Sequence, residues 1–336
     1  MNIDIILSEF ISPGETAELG ALAERYGLRA IWSTNYADSR DPFLNLAILA
    51  QSSGTIKMGP LAVSALELHP VKMANSLLTL HELSGGRAII AVGGGGAVLQ
   101  GMGKKRARLV ESARECVEIL KLAATGERVN YAGDMYQMVG YHAAWAAPAP
   151  PLIYVAASKP LMIRMATELA DGMMSSDLTP AMIRETVQLV NEGLADFSRP
   201  TENFSINNFW AWHIKEDKQA AIDEARTELA LRGMLRRRYT EPFLDEDECE
   251  LVESKMGAFF RALMQRTPVI EGVPDRIINT LIDNLSSTGG LDDLDREIDR
   301  FKEFEAAGLT EIAFRVHGEP AAAIKIIGEK VAPVFQ

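Results

Sequence analysis

Eight short β-branched or apolar runs, the longer amphipathic helical patterns between them, and the lack of a glycine-rich turn after the first run together predict a closed (β/α)8 TIM barrel. Strands that are apolar on both faces and separated by helices belong in a parallel sheet, and eight such units in one chain close it. An open doubly wound sheet would need glycines directly after its first strand, and Leu7-Ser8-Glu9-Phe10 contains none.

The first strand is read at 3–7 and leads into a helix at 15–26. The second, third and fourth strands fall at 29–33, 56–64 and 87–92, followed by helical patterns at 43–51, 71–83 and 105–124. The fifth, sixth and seventh, at 152–156, 172–175 and 204–214, precede helical patterns at 160–170, 180–194 and 218–231, and the eighth strand lies at 311–315. A mostly helical stretch before the last strand exceeds a minimal barrel and reads as an insertion at about 233–290 within one domain, 1–336. It carries Arg236-Arg237-Arg238 and then Asp245-Glu246-Asp247-Glu248, opposite charge blocks that either pair or are solvated. A lid over the barrel mouth is the alternative reading of this segment.

With 47% hydrophobic residues and only 26 Gly and 15 Pro in 336 positions, the chain is neither disordered nor collagenous. Its 34 Lys and Arg against 46 Asp and Glu leave a net charge of −12, which repels phosphate backbones and anionic lipids. A small-molecule substrate is expected, with no nucleic acid and no membrane. Cys116 and Cys249 lie far apart and form no CxxC pair, the first residues lack a basic leader, and no stretch is long enough to span a bilayer, so a cytoplasmic location is expected.

Several motifs fail on a single residue. His81-Glu82 is followed by Gly85 where a HExxH zinc site needs its second histidine, and Gly101-Met102-Gly103-Lys104 lacks the first loop glycine (Val98) and the magnesium hydroxyl (Lys105) of a P-loop. His69, His142, His213 and His317 show no ligand spacing, and no GxSxG elbow occurs. No metal is expected.

Two loops remain. Gly93, Gly94, Gly95 and Gly96 follow the fourth strand directly, at what would be the C-terminal face of a barrel. Such a run lets backbone approach a flat ring or an anion closely, whereas a sharp turn alone needs one or two glycines. After the fifth strand, Ala156-Ala157-Ser158-Lys159-Pro160 combines small residues, a hydroxyl, a cation and a helix N-terminus, which suits a phosphate. Ser158 with Pro160 reads equally well as a plain N-cap with proline in the first turn.

These loops resemble those of the bacterial-luciferase-like flavin and deazaflavin oxidoreductases, and within them the methylenetetrahydromethanopterin reductase branch. The resemblance covers nearly the whole chain. It is most specific from His69-Pro70 through Leu80-His81-Glu82-Leu83-Ser84-Gly85-Gly86-Arg87 to the glycine run, and extends to Trp32-Ser33-Thr34-Asn35-Tyr36, Ala170-Asp171-Gly172 and Ala307-Gly308-Leu309-Thr310. It implies a barrel that binds coenzyme F420, a deazaflavin, or alternatively FMN, at the C-terminal mouth, with hydride transfer at the ring. It also implies a homo-oligomer, a dimer or tetramer. By position it places the ring over Leu61, Ala62, Val63 and Ser64, with a cis peptide at Leu61–Ala62, the glycine run on one flank, and the phosphate tail near Ala156, Ala157, Ser158 and Lys159.

One departure stands out. Where the deazaflavin branch carries an Asp-His pair, this chain has Asn35 and Tyr36. Asparagine is no carboxylate base, and an unperturbed tyrosine, with pKa about 10, is a donor before it is a proton shuttle. The catalytic assignment is therefore that Asn35 and Tyr36 polarise a substrate carbonyl or imine as hydride moves. The rival readings are an FMN-dependent monooxygenase, a non-catalytic flavin or deazaflavin carrier, and a barrel enzyme of another class, the last opposed by the lack of a lysine plainly at a strand end.

Overall fold

Strands rich in Ile, Val, Ala and Trp, buried along their whole length, leave the chain one way to satisfy their backbone, which is to pair on both edges. The computed structural model describes residues 1–335, Ala97 by its backbone alone. Its strands are β1 (Asn2–Leu7), β2 (Ala30–Thr34), β3 (Lys57–Val63), β4 (Ile89–Val92), β5 (Val129–Ala132), β6 (Gln137–Tyr141), β7 (Leu152–Ala156), β8 (Gly172–Ser176), β9 (Ser205–Ile214), β10 (Ser286–Gly289) and β11 (Glu311–Val316). Eight of them, in the order β1-β2-β3-β4-β7-β8-β9-β11, are parallel, and β11 returns to β1 from Asn2↔Glu311 to Ile6↔Arg315, closing the barrel. All eight expected strands are the ones that form it.

Three strands escaped the sequence reading. β5 and β6 form an antiparallel hairpin whose burial alternates along β5, and Gly133-Asp134 is the turn signal that marks it. The Glu115 carboxylate accepts the backbone N–H groups of Asp134, Met135 and Tyr136 and so holds that turn. β10, Ser-Ser-Thr-Gly, has no apolar pattern to announce it. It lies inside the expected helical insertion and pairs with 211–214 of β9, on the edge that β8 occupies only at 205–209. The rest of that insertion is helical, at Arg237–Thr240, Glu246–Ser254, Met256–Gln265 and Asp275–Leu285. Its charge blocks pair in part with each other, Arg237 with Glu246, while Arg237 also faces Glu253 and Arg238 reaches Glu185.

The core has two parts. Between strands and outer helices lies an apolar shell that takes in Met73, Ala74, Leu77, Leu78 and Leu80, so the apolar stripe of the Pro70–Leu83 helix is barrel packing. Inside the barrel, Ile6, Trp32, Ile89, Ala91, Tyr154, Met174 and Ala313 form a second cluster. Beneath it sits a buried polar group: Asp4 Oδ1 and Oδ2 accept Arg29 Nε at 2.8 Å and Nη2 at 2.5 Å, and Oδ2 also accepts Trp32 Nε1 at 2.8 Å and Asn207 Nδ2 at 2.9 Å. Burial pushes the neighbouring Glu311 carboxyl up although Arg29 Nη1 lies 2.6 Å away and opposes it.

The helix Pro13–Arg25 starts with a capping box, Ser12 with Glu15, and near its end presents Glu24 to the loop before β3. Glu24 Oε1 accepts the Gly54 and Ile56 N–H groups at 2.9 Å each, together with the N–H and hydroxyl of Thr55. Burial alone would raise its pKa, but these donors outweigh it and hold the carboxyl down to about 2. A depressed carboxylate stabilises the fold above its unfolded pKa and loses that contribution as pH falls through the folded value. Wild type should therefore lose about 1 kcal/mol from this group, discounted for solvent screening, between about pH 5 and pH 2. Glu24→Gln should flatten that part of a Tm-against-pH curve; an unchanged acid limb would count against the assignment.

No helix among the described residues is long and apolar enough to cross a membrane. No group of three or more His, Cys, Asp or Glu side chains among them could hold a metal ion.

Candidate active site

The C-terminal ends of β2, β3, β4, β7, β8 and β9 converge on a cavity of about 320 Å³. Thr34, Asn35 and Tyr36 at the end of β2, Leu61 and Ala62 of β3, and Gly93 to Gly96 with Val98 after β4 line it. Ala156, Ala157 and Ser158 enter after β7, and Met174, Ser175, Ser176 and Phe209 complete the lining. Substrate chemistry in barrels takes place at this end, where the loops meet.

β3 is irregular there. The register of β3 against β4 shifts between Leu61 and Val63, and the Leu61–Ala62 peptide is cis, as the resemblance implied. An ideal Cβ on Gly93 would lie 2.9 Å from the Ala62 Cβ and 3.6 Å from the Ala156 Cβ, so a side chain there would fill the slot. Gly95 has φ +84° and precedes the short helix Gly96–Gly101. A Cβ on Gly94 would lie 3.4 Å from Arg106 Nη2, which puts a guanidinium with no ion pair among the described residues beside the glycine run.

The loop after β7 does not use Ser158 as a helix cap. The residue that caps the helix Pro160–Leu169 is Lys159, whose side chain makes no capping bond, and Ser158 caps nothing. Ser158 instead lines the slot with a hydroxyl that makes no hydrogen bond among the described residues, at the start of a helix whose Met162 and Ile163 N–H groups both donate to the Lys159 carbonyl at 3.0 Å. Ser175 adds a second: its Oγ is buried and has no partner among the described residues. A free buried hydroxyl, a cleft that only glycine leaves open, a helix N-terminus and an unpaired arginine suit a flat polar ring with an anionic tail.

Three expected cofactor contacts do not reach the slot. Val63 is buried against the outer shell, because alternate residues of a strand face opposite sides. Ser64 turns its hydroxyl to the Leu66 N–H at 3.2 Å, and the Lys159 side chain is exposed outside the cavity. Thr34, Val98, Met174, Ser175, Ser176 and Phe209 were not anticipated; only the fold shows which strand-end residues face inward.

Asn35 and Tyr36 both line the slot but differ in what they can do. The Asn35 amide is engaged: Nδ2 lies 3.1 Å from the Ala62 carbonyl oxygen and 2.5 Å from Glu67 Oε1. With both amide protons engaged there while Glu67 is ionised, the expected donation from Asn35 to a substrate carbonyl finds no free proton. The Tyr36 hydroxyl makes no hydrogen bond among the described residues, and burial pushes its pKa up, with Arg315 pulling the other way and Glu9 adding to the rise. It stays a neutral phenol and a free donor.

Beyond Tyr36 the mouth is polar. Arg315 Nη2 bonds Glu9 Oε2 at 2.8 Å and its Nη1 donates to the Leu7 carbonyl at 2.6 Å; burial alone would raise Glu9, but Arg315 brings it below its usual value. Buried Arg232 pairs with buried Asp177 at 2.9 Å and sits 5.6 Å over the Phe209 ring. His213 and His317, unrelated by spacing in the sequence, stack at 4.9 Å, and burial drives both pKa values down, so both are neutral. Asp177 Oδ2 also accepts the Gly233 N–H at 2.8 Å, and Tyr239 Oη donates to the Ser176 carbonyl at 3.3 Å. The start of the insertion is thus anchored at the mouth.

A family model for luciferase-like monooxygenases matches residues 4–310. A 5,10-methylenetetrahydromethanopterin reductase of Archaeoglobus fulgidus is 28% identical over 321 residues, covering 93% of each chain. Among solved structures, a coenzyme F420-dependent tetrahydromethanopterin reductase from Methanopyrus kandleri superposes with a TM-score of 0.83 at 22% identity, covering 100% of this chain and 99% of that one. An F420-dependent secondary alcohol dehydrogenase, in complex with an F420-acetone adduct, gives 0.77 at 16% identity over 100% and 99%. These two structures attest the barrel itself.

Proposed function

The chain belongs to the luciferase-like monooxygenase family, and from that premise we propose that it transfers a hydride between coenzyme F420 and a small organic substrate, a reading supported by its 5,10-methylenetetrahydromethanopterin reductase relatives and by structural neighbours described as F420-dependent. The observation that carries this reading is the slot between Gly93 and Ala62 with the unpartnered Ser175 hydroxyl in its wall. When bound, the deazaflavin supplies a ring carbon that accepts or gives hydride.

The chain's own part is to bind, orient and hold a proton. Leu61 and Ala62 offer an apolar surface, Gly93 to Gly96 let the backbone come within contact distance, and Ser175 offers a hydrogen bond. Ser158, the N-terminus of Pro160–Leu169 and Arg106 suit an anionic tail. The Tyr36 hydroxyl, neutral and uncommitted, is placed to donate to an oxygen or nitrogen on which charge develops as hydride arrives.

The test is an equilibrium titration of the purified protein with coenzyme F420 and with FMN in parallel, followed by the fluorescence of each. Micromolar or tighter binding of the deazaflavin alone supports the reading; preference for FMN would move the protein to oxygen-dependent chemistry, and binding of neither would reject both. Ser175→Ala should weaken coenzyme binding about five-fold, the worth of one hydrogen bond of about 1 kcal/mol. An unchanged Kd would remove Ser175 from the site.

A further inference from the structure

An amide side chain is ordinarily ambiguous, since its oxygen and nitrogen ends have the same shape. At Asn35 the neighbours decide. Both groups that meet the Nδ2 end, the Ala62 carbonyl at 3.1 Å and, while ionised, the Glu67 carboxylate at 2.5 Å, are acceptors with no proton to give. The NH2 end must face them, and both of its protons are used. The backbone N–H of Asn35 is engaged as well, with the Leu61 carbonyl at 3.2 Å. Oδ1 remains, without a hydrogen bond among the described residues, on a residue that lines the slot.

We infer that Asn35 presents a fixed hydrogen-bond acceptor to the ligand, selecting an N–H or O–H group at that point, and that Glu67 is the positioning residue that sets this polarity. The inference deepens the hydride-transfer reading and rests on it for the identity of the ligand. It reverses the role expected from the sequence, where Asn35 was a donor to a carbonyl. The side chain that imposes the reversal lies 32 residues away.

Glu67 can act in this way because of where it sits. Its Oε2 is buried and has no partner among the described residues. Asn35 faces it from the end of β2, the Ser64 backbone from its own segment, and Lys104, which donates to the Leu66 carbonyl at 3.0 Å, from the segment after the Gly96–Gly101 helix. Burial pushes the carboxyl up, and the Ser64 N–H, Asn35 and Lys104 oppose the rise only in part. While Glu67 is ionised, it holds the amide with Oδ1 toward the slot. When it takes a proton from solvent it gains a donor of its own, which can bond Asn35 Oδ1 and let the NH2 end turn to the slot. Binding of a donor-bearing ligand should therefore strengthen as pH rises through the ionisation of Glu67.

The first test needs no ligand. In protein labelled with 15N-asparagine, the Asn35 side-chain amide pair, assigned by its loss in Asn35→Asp, should be protected from exchange and should shift with pH in wild type but not in Glu67→Gln. An exposed or pH-independent pair in wild type would overturn the inference. The second test locates the donor. Asn35→Leu should raise the coenzyme F420 Kd about five- to ten-fold if the N–H belongs to the coenzyme. If the donor belongs to the substrate, that Kd stays unchanged, and coenzyme-saturated wild type binds propan-2-ol in preference to acetone, a preference that Asn35→Leu erases. No effect in either arm overturns the inference. Failure of wild type to bind F420 or FMN would instead strike the functional reading, leaving the amide resonances as an independent measure of the Asn35–Glu67 pair.

Discussion

Tyr36→Phe is expected to slow single-turnover hydride transfer by about 10²- to 10³-fold, the usual cost of removing one donor aimed at developing charge, while the coenzyme Kd stays nearly the same. The basis is that Tyr36 lines the slot, that its hydroxyl makes no hydrogen bond among the described residues, and that burial keeps it protonated. Phenylalanine keeps the ring and its packing, so the variant removes little but the donor. Stopped-flow absorbance of the deazaflavin gives the rate, and fluorescence titration gives the affinity. A parallel fall in both would make Tyr36 a binding residue. In wild type the rate should fall with rising pH only once the phenol ionises, which lies above its ordinary value of about 10.

The second large effect concerns stability. Asp4→Ala leaves the Arg29 guanidinium, the Trp32 indole N–H and the Asn207 amide without their common acceptor inside the barrel. Breaking a buried ion pair by removing one partner costs about 3–5 kcal/mol, because the other charge remains buried. Here Glu311 still contacts Arg29 at 2.6 Å and Asn207 at 3.1 Å, so the lower end, about 3 kcal/mol, is expected. Urea unfolding followed by tryptophan fluorescence would measure it through the midpoint at unchanged slope. A loss under about 1 kcal/mol would mean that Glu311 carries Arg29 alone. The network lies below the apolar layer of Ile6, Trp32 and Ala91, on the side away from the slot. The variant should therefore bind coenzyme normally wherever it remains folded.

The sequence by itself determined the barrel and marked the strand ends at which the candidate site lies. Eight both-face apolar runs at βα spacing allow few other closed arrangements, and the glycine run and the Ala156 to Ser158 loop mark strand ends whatever the details of packing. Asn35 and Tyr36 were legible for the same reason, because they follow β2 directly. Tertiary structure alone decided what those residues can do. Hydrogen-bond polarity belongs to pairs of groups, and the partner that reverses Asn35 is Glu67, from another loop. The stacking of His213 on His317 and the anchoring of the insertion by Asp177 likewise join residues distant in the chain. β10 shows the same limit at the level of backbone: Ser-Ser-Thr-Gly has no pattern of its own and becomes a strand because β9 offers an unpaired edge. Local sequence carries periodicity and backbone freedom, whereas burial, charge and the availability of a proton are properties of neighbours that only the closed barrel brings together.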